Sequence, residues 1–304
     1  MERGQTEAGR RKIGIVWAAS LVATAVVVFL ASSYFLGAFP GNAGGKTGRK
    51  QMLISEMRTN LARAAEKEKC AVLSLNDEES RDYADQSRAA SEKVDHDLRI
   101  LENLIGQSGT DRERELLKKF DGLWKNLRQT DMELLESAEQ NTNMKAIDLS
   151  GTIGSELLQK LHDDLSKIAM KVNPPSRRTE LDRIAGQAEI AALNIAILQM
   201  RHIQAPSTAE KSAIETSIKG AEQKGNAALK TLQALAGKKG NPFMKGAITE
   251  FGELLQVNEE ILRLSNINSN RRAIEISLGR KRLADAECDR ALKAFQASVN
   301  GGMD

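Results

Sequence analysis

The chain has 304 residues, of which 41% are hydrophobic and 28% charged, and its formal net charge is only +3. This near balance of charge gives no basic surface of the kind that binds nucleic acid. Few aromatic residues and only five prolines, beside abundant Leu, Ala, Glu, Lys and Arg, are typical of long helices.

The first element is an uncharged run at residues 13–39, which Pro40 closes. Its length exceeds the roughly 20 apolar residues that cross a bilayer as a helix. Basic residues at 10–12 precede it directly, so we expect a cytoplasmic N-terminus (1–12), a single-pass anchor in the inner membrane and an extracytoplasmic remainder. The alternative is a cleaved signal peptide, although the apolar core of a signal usually has about 7–15 residues.

One block of sequence occurs twice after a flexible spacer at residues 40–50. The stretch from Trp124 to Ser150 recurs from Phe251 to Ser277, and the register holds beyond it. Matching positions include Leu127 and Leu254, Leu134 and Ile261, Asn141 and Asn268, and Leu161 and Cys288. A repeat of this length predicts two copies of one helical unit.

Apolar residues in both copies recur at intervals of three and four, which predicts amphipathic helices. In the first copy, turns are expected at Asn76-Asp77, at residues 106–109 and at 141–143, with Thr110 and Glu113 forming a capping box. Each copy then has four helices, and short connections place neighbouring helices antiparallel.

The predicted fold is therefore all-α, with a transmembrane helix followed by two tandem antiparallel four-helix bundles. The bundles are expected at residues 51–172 and 177–298. A Pro-rich linker at 173–176 would join them, and a tail at 299–304 would follow.

A family resemblance rests on the block Phe120-Asp121-Gly122-Leu123-Trp124, the long third helix and Asn143-Met144-Lys145-Ala146. These features resemble the periplasmic four-helix-bundle sensor domain of methyl-accepting chemotaxis receptors, best over 50–170 and more faintly over 176–297. The resemblance implies a bundle outside the membrane that dimerises side by side and senses a small molecule or a partner binding protein. In those receptors a second span, a HAMP relay and a signalling hairpin follow the fourth helix, whereas Pro174-Pro175 follows the first copy here.

Three polar residues interrupt the apolar ladders of the predicted helices. They are Asp131 and its counterpart Asn258 on the third helices, and Glu68 on the first. Since a buried polar group is costly unless it is hydrogen-bonded, these residues mark either a ligand site or a polar layer that fixes helix register. The polar layer is the favoured interpretation.

Basic residues offer a second set of candidates. In amino-acid-sensing members of the resembled family, arginines on the first and fourth helices clamp ligand carboxylates. Arg63, Arg271 and Arg272 lie on comparable helices, and the cluster Arg280-Lys281-Arg282 lies nearby. Transfer position by position is not justified, and a solvated helix face is the more frequent explanation.

Other chemistry is not expected. His96, His162 and His202 lie in separate predicted helices, which argues against a metal site, and the sequence predicts neither a cofactor nor enzymatic activity. Cys288 lies on an apolar stripe, so we expect a small buried side chain rather than a disulfide with Cys70.

The sequence thus predicts a membrane-anchored, extracytoplasmic, chemoreceptor-like sensory module. It would bind a small molecule or a partner protein, form a homodimer and signal through another membrane protein. Two alternatives remain at this point: a structural or scaffolding rod at the membrane surface, and a chemoreceptor truncated by a frameshift.

Overall fold

A computed structural model of the protein describes residues 45–168, 170, 178–236 and 242–301. The predicted anchor at 13–39 and the linker at 173–176 lie outside these residues. Every regular element within them is a helix, as the sequence predicts. None of these helices combines the length and the apolar character needed to cross a bilayer.

The helices of the first half are α1 (Lys46–Leu73), α2 (Asp77–Ser108), α3 (Asp111–Gln140), α4 (Thr142–Leu149) and, after a π-helical segment at Ser150–Gly154, α5 (Ser155–Ile168). Those of the second half are α6 (Arg178–Gln204), α7 (Thr208–Ala236), α8 (Pro242–Ile267), α9 (Ser269–Ile276) and, after a π-helical segment at Ser277–Lys281, α10 (Arg282–Gly301). Helix α1 thus begins inside the predicted spacer, and α10 runs into the predicted tail.

The start of α3 shows why these helices begin where they do. The predicted capping box is confirmed: the Glu113 backbone N–H donates to Thr110 Oγ1 at 3.2 Å, and the Thr110 N–H donates to Glu113 Oε2 at 2.8 Å. Two of the otherwise unpaired N–H groups of the helix are thereby satisfied. Lys50 Nζ donates to the same carboxylate at 2.9 and 3.0 Å, which ties α1 to this end of α3.

The predicted fourth helix of each copy corresponds to α4–α5 in the first half and to α9–α10 in the second. The packing of these fourth helices differs from the predicted arrangement. In the first bundle (α1, α2, α3 and α10), Trp124 and Leu127 share a core with Cys288 and Phe295. In the second bundle (α5, α6, α7 and α8), Leu161 shares a core with the helices of the second half. Each fourth helix therefore packs in the bundle of the other half. The boundaries predicted at 51–172 and 177–298 do not match these two cores.

The single residue between α3 and α4 explains this exchange. Asn141 has left-handed backbone geometry (φ 49°, ψ 37°), which Asn tolerates better than most residues. A reversal into an antiparallel hairpin needs a loop of about 2–5 residues. With Asn141 alone between the helices, α4 does not fold back on α3 but packs against α8. Asn268 (φ 56°, ψ 38°) has the same role between α8 and α9.

The two crossing points meet at the junction of the bundles. Neither Asn141 nor Asn268 caps the helix that follows it. Instead Asn143 Nδ2 donates to Asn268 Oδ1 at 2.8 Å, and Asn270 Nδ2 donates to Asn141 Oδ1 at 2.6 Å. The two halves are thus hydrogen-bonded to each other through corresponding residues.

Candidate functional site

A buried cluster of charged side chains lies in the first bundle. Lys281 is 1% exposed, and its Nζ lies 2.7 Å from Asp285 Oδ1, 3.2 Å from Asp131 Oδ1 and 3.7 Å from Glu68 Oε2. The structure therefore brings together two of the predicted residues, Glu68 from α1 and Asp131 from α3. Three carboxyl groups thus face one ammonium group.

Burial sets the ionisation of this cluster. It raises the pKa of Glu68 and of Asp131 because the charged form loses its hydration, and attraction to Lys281 only partly offsets this. Neither Glu68 oxygen accepts a well-aligned hydrogen bond, although the nearby Ser277 hydroxyl lowers the pKa slightly. Burial alone would lower the pKa of Lys281, but the carboxylates, Asp131 first, raise it overall. Lys281 therefore stays charged, and keeping Glu68 and Asp131 ionised in the core costs free energy.

Lys281 is the last residue of the π-helical segment at Ser277–Lys281, and its side chain lies in the core. Gly279 within this segment departs from helical geometry (φ −95°, ψ −109°). The side chains of α10 therefore do not continue the helical spacing of α9. Such π-segments are frequent at functional sites. The neighbours Arg280 and Arg282 are exposed, so the solvated face expected for this basic run holds for two of its three members.

The second bundle has a neutral counterpart of the charged layer. Ser150 Oγ donates to Gln199 Oε1 at 3.0 Å, Gln199 Nε2 donates to Asn258 Oδ1 at 3.1 Å, and Asn258 Nδ2 donates to Glu222 Oε1 at 3.2 Å. Asn258 is thus matched donor to acceptor, as a polar layer requires. Burial raises the pKa of Glu222 at the end of this chain of hydrogen bonds.

The three predicted arginines lie apart from both layers. Arg63 is exposed and lines a polar groove of about 650 Å³ with Glu56, Glu92 and His96. Arg271 forms an ion pair with Glu275 at 2.9 Å on the surface of α9, and Arg272 is exposed. The structure does not bring these arginines together at one site.

A third polar cluster is one that the sequence analysis does not identify. His202 is fully buried on α6, with Nδ1 2.9 Å from Ser265 Oγ and Nε2 3.0 Å from Glu215 Oε1. Burial lowers the pKa of His202, and the Glu215 carboxylate only partly offsets this. The Ser–His–Glu order resembles a hydrolase triad, but Ser265 is itself fully buried and also contacts the His202 carbonyl oxygen at 3.2 Å. A substrate has no access to this serine, so we assign the cluster to packing.

Asp285 is the residue of the charged cluster that the sequence does not single out, and the buried positions of Lys281 and His202 are likewise not predicted. For Lys281 a signal was present, since it lies at helical spacing with Ser277, Ala284 and Cys288 on one face of the last helix. A lysine on an apolar stripe points to a buried partner. His202 has a comparable signal, because it lies seven residues after Ile195 and four after Leu198 on the apolar stripe of α6, but its partners Ser265 and Glu215 are distant in sequence.

Other expected features concern metals and cysteines. Among the described residues, no group of three or more His, Cys, Asp or Glu side chains is placed to hold a metal ion. Cys70 and Cys288 are free thiols, and Cys288 is fully buried. Burial raises the pKa of Cys288 to about 12, so it stays a protonated, apolar-like side chain, as the sequence predicts.

Two solved structures of all-helical sensor domains have a fold similar to that of this chain. The sensor domain of the histidine kinase sensor TorS from V. parahaemolyticus superposes with a TM-score of 0.53 at 12% identity, over 83% of this chain and 96% of that one. A TorS sensor domain in complex with TorT, in the presence of TMAO, gives a TM-score of 0.51 at 12% identity, over 83% and 98%. No protein-family profile and no curated protein sequence matches the chain. At this identity the likeness shows a shared fold.

Proposed function

We propose that this chain is a sensory module that binds a small molecule or a partner protein outside the cytoplasm. In this proposal residues 13–39 anchor it in the inner membrane, and it passes the signal to another membrane protein, as a chemoreceptor-like component would. The observation that carries the proposal is the fold shared with a histidine kinase sensor's sensor domain along most of both chains.

The exchanged helices support this function because they offer a path between the two bundles. The series α3–α4–α5 leaves the first bundle and enters the second, and α8–α9–α10 returns. Packed helices transmit displacements as rigid elements. Binding at the second bundle would therefore move α10 in the first bundle, where Lys281 meets its carboxylates.

A partner protein is one of the two proposed kinds of ligand. The TorS sensor domain, which is similar to this chain in fold, has been solved in complex with TorT, and this supports a protein ligand. For the present chain we propose the same kind of interaction, with a small molecule bound directly as the other possibility.

Thermal denaturation of the full chain in detergent tests the proposal. We would add extracytoplasmic extract of the source cells, separated by ultrafiltration into a small-molecule and a protein fraction. A ligand that binds the folded state raises the free energy of unfolding, by about 2.7 kcal/mol at a hundredfold excess over Kd, and the melting temperature rises with it. A rise with one fraction supports sensing and identifies the kind of ligand. No rise with either fraction, together with a C-terminal reporter located in the cytoplasm, would overturn the proposal.

A further inference from the structure

Helix α6 has a second apolar face opposite the one in its own core. Its inner side is buried, through residues such as Ile184 and Ile195. Its outer side carries Ile190, Leu193 and Ile197, which are 60%, 46% and 59% exposed. Large aliphatic side chains that stand together on one exposed face indicate an interaction surface.

The spacing of the outer residues is that of a coiled coil. The exposed Ile190, Leu193 and Ile197, with the half-buried Gly186 before them and the half-buried Met200 after them, follow one another at intervals of four, three, four and three. Such a repeat places Ile190 and Ile197 at the a positions of a heptad and Leu193 at d. Isoleucine at a with leucine at d favours two parallel helices.

The first helix of the first bundle shows that this stripe is not a general feature of the fold. On the exposed side of α1 the same intervals of four, three and four fall on Ser55, Thr59, Ala62 and Glu66. These residues are polar or small. An exposed Ile/Leu seam on α6 therefore needs a separate explanation.

A groove lies directly beside the α6 ridge. It has a volume of about 810 Å³ and runs between α6 and α7, where Gly220, Ala221, Ala227 and Ala228 line it. Small residues let another helix approach closely. A ridge beside a groove on one face suits a two-fold interface, in which each copy presents the same surface.

The charges that flank the seam fit the parallel arrangement. In a parallel pair, each g position contacts the e position of the following heptad on the other helix. Asp182 would then face Gln187 of the second copy, and Glu189 would face Asn194. No like charges meet in these contacts, and Arg183, at the a position before Ile190, is exposed, so the like pair it would form with its counterpart lies at the solvated end of the seam.

We propose that the outer face of α6 binds a second copy of this chain, with the two α6 helices parallel and in register. The α6–α7 groove of each copy receives side chains from the ridge of the other. This assembly requires no ligand, so it holds or fails independently of the sensory function.

Sedimentation equilibrium of the full chain in density-matched detergent tests the surface. We expect a dimer for the wild type, and a dissociation constant raised more than about tenfold in an Ile190→Glu/Ile197→Glu variant, because each charge would enter an apolar seam. The control Leu278→Glu/Leu283→Glu changes two side chains that are 67% and 59% exposed elsewhere, and should dimerise as the wild type does. Unchanged melting would show that all variants fold. A monomeric wild type, or a seam variant that associates normally, would overturn the proposal.

Disulfide trapping tests the orientation. Gly186→Cys adds a thiol at a d position where nothing lies within 4 Å of the new Cβ. With Cys70→Ser and the buried Cys288 retained, oxidation should link two copies of the parallel pair. An antiparallel pair would hold the two thiols more than about 15 Å apart, at 1.5 Å per residue. The matched control Gly122→Cys, exposed on α3, should stay unlinked. An unlinked Gly186→Cys protein would refute the parallel arrangement.

Discussion

Thr142 and Ser269 cap each other's helices, although 127 residues separate them. The Thr142 backbone N–H donates to Ser269 Oγ at 3.0 Å, and the Ser269 N–H donates to Thr142 Oγ1 at 3.1 Å. The first N–H groups of α4 and α9 have no partner within their own helices, so each hydroxyl satisfies a donor of the other half. The junction between the bundles is therefore held by a reciprocal pair of side chain to backbone contacts.

A double-mutant cycle measures this pair. Thr142→Val and Ser269→Ala each leave a buried N–H of the opposite helix without its acceptor, which should cost about 1–3 kcal/mol. The double variant should cost less than the sum by about 1 kcal/mol, because the two hydroxyls also share a hydrogen bond at 3.2 Å. Urea denaturation followed by circular dichroism gives the three values. The control Thr59→Val removes an exposed hydroxyl and should stay within about 0.5 kcal/mol of wild type. Strict additivity would contradict the shared contact.

Replacement of Lys281 by Met should strongly destabilise the first bundle. The change leaves Glu68, Asp131 and Asp285 without their cation, and breaking a buried pair in this way costs about 3–5 kcal/mol. The exposed neighbour provides the control, because Arg282→Met should change stability by less than about 0.5 kcal/mol. Equal effects of the two changes would show that the cluster contributes nothing.

The pH dependence of the Lys281→Met variant follows from the same carboxylates. The pKa values of Glu68 and Asp131 are raised in the folded state, so the folded protein binds more protons than the unfolded chain and is stabilised as the pH falls. Without the lysine this effect grows. We expect the deficit relative to wild type to be smaller at pH 5 than at pH 8 in urea denaturation, and a constant deficit would argue against it.

Asp131→Asn and Asn258→Asp should have opposite effects on the stability of the protein. Asp131→Asn removes a carboxylate whose raised pKa shows that burial outweighs its attraction to Lys281, and should stabilise the protein by about 1 kcal/mol at pH 7. The gain should shrink as the pH falls, because the raised pKa of Asp131 favours its protonated, uncharged form in the folded protein. Asn258→Asp places a carboxylate beside Glu222, where the exposed Lys219 offsets only part of the charge, and should cost about 2–4 kcal/mol. Destabilisation by both changes, measured by thermal melting, would contradict this account.

Two glycines of α7 should respond differently to alanine. A Cβ at Gly225 would lie 2.2 Å from Phe251 Cζ, so Gly225→Ala should cost about 1–3 kcal/mol through displacement of that ring. Nothing lies within 4 Å of a Cβ at Gly220, where alanine should add about 0.5–1 kcal/mol through its helix propensity. Thermal melting of both variants checks the pair, and a tolerated Gly225→Ala would mean that Phe251 repacks freely.

The local helical structure and the internal repeat can be predicted from the sequence. The three- and four-residue spacing of apolar side chains predicts the helices, and the match between the two blocks places Asn141 opposite Asn268 and Ser150 opposite Ser277. In the structure the left-handed residues and the π-helical segments recur at these positions. The polar residues of the third helices are also evident, because each interrupts an apolar ladder.

The exchange of fourth helices is not evident from the sequence. The stripe through Leu161 and the stripe through Cys288 have the same spacing, so either fits either core. Which core the fourth helix joins depends on whether the chain reverses direction at Asn141. The backbone geometry of that one residue decides this, and the sequence does not show it. Glu68 and Asp131 are evident as polar candidates, but their pairing with Lys281 is not, since they lie on α1 and α3, far from Lys281 in sequence.

The order in which the ribosome makes these helices has a consequence for how the protein matures. The second bundle consists of consecutive segments, α5 to α8, and can close as soon as they emerge. The first bundle joins Leu53 to Phe295, so α1, α2 and α3 wait with an open apolar side until α10 has been synthesised. Premature termination within α9 would thus leave the earliest-made helices unfinished and prone to aggregate.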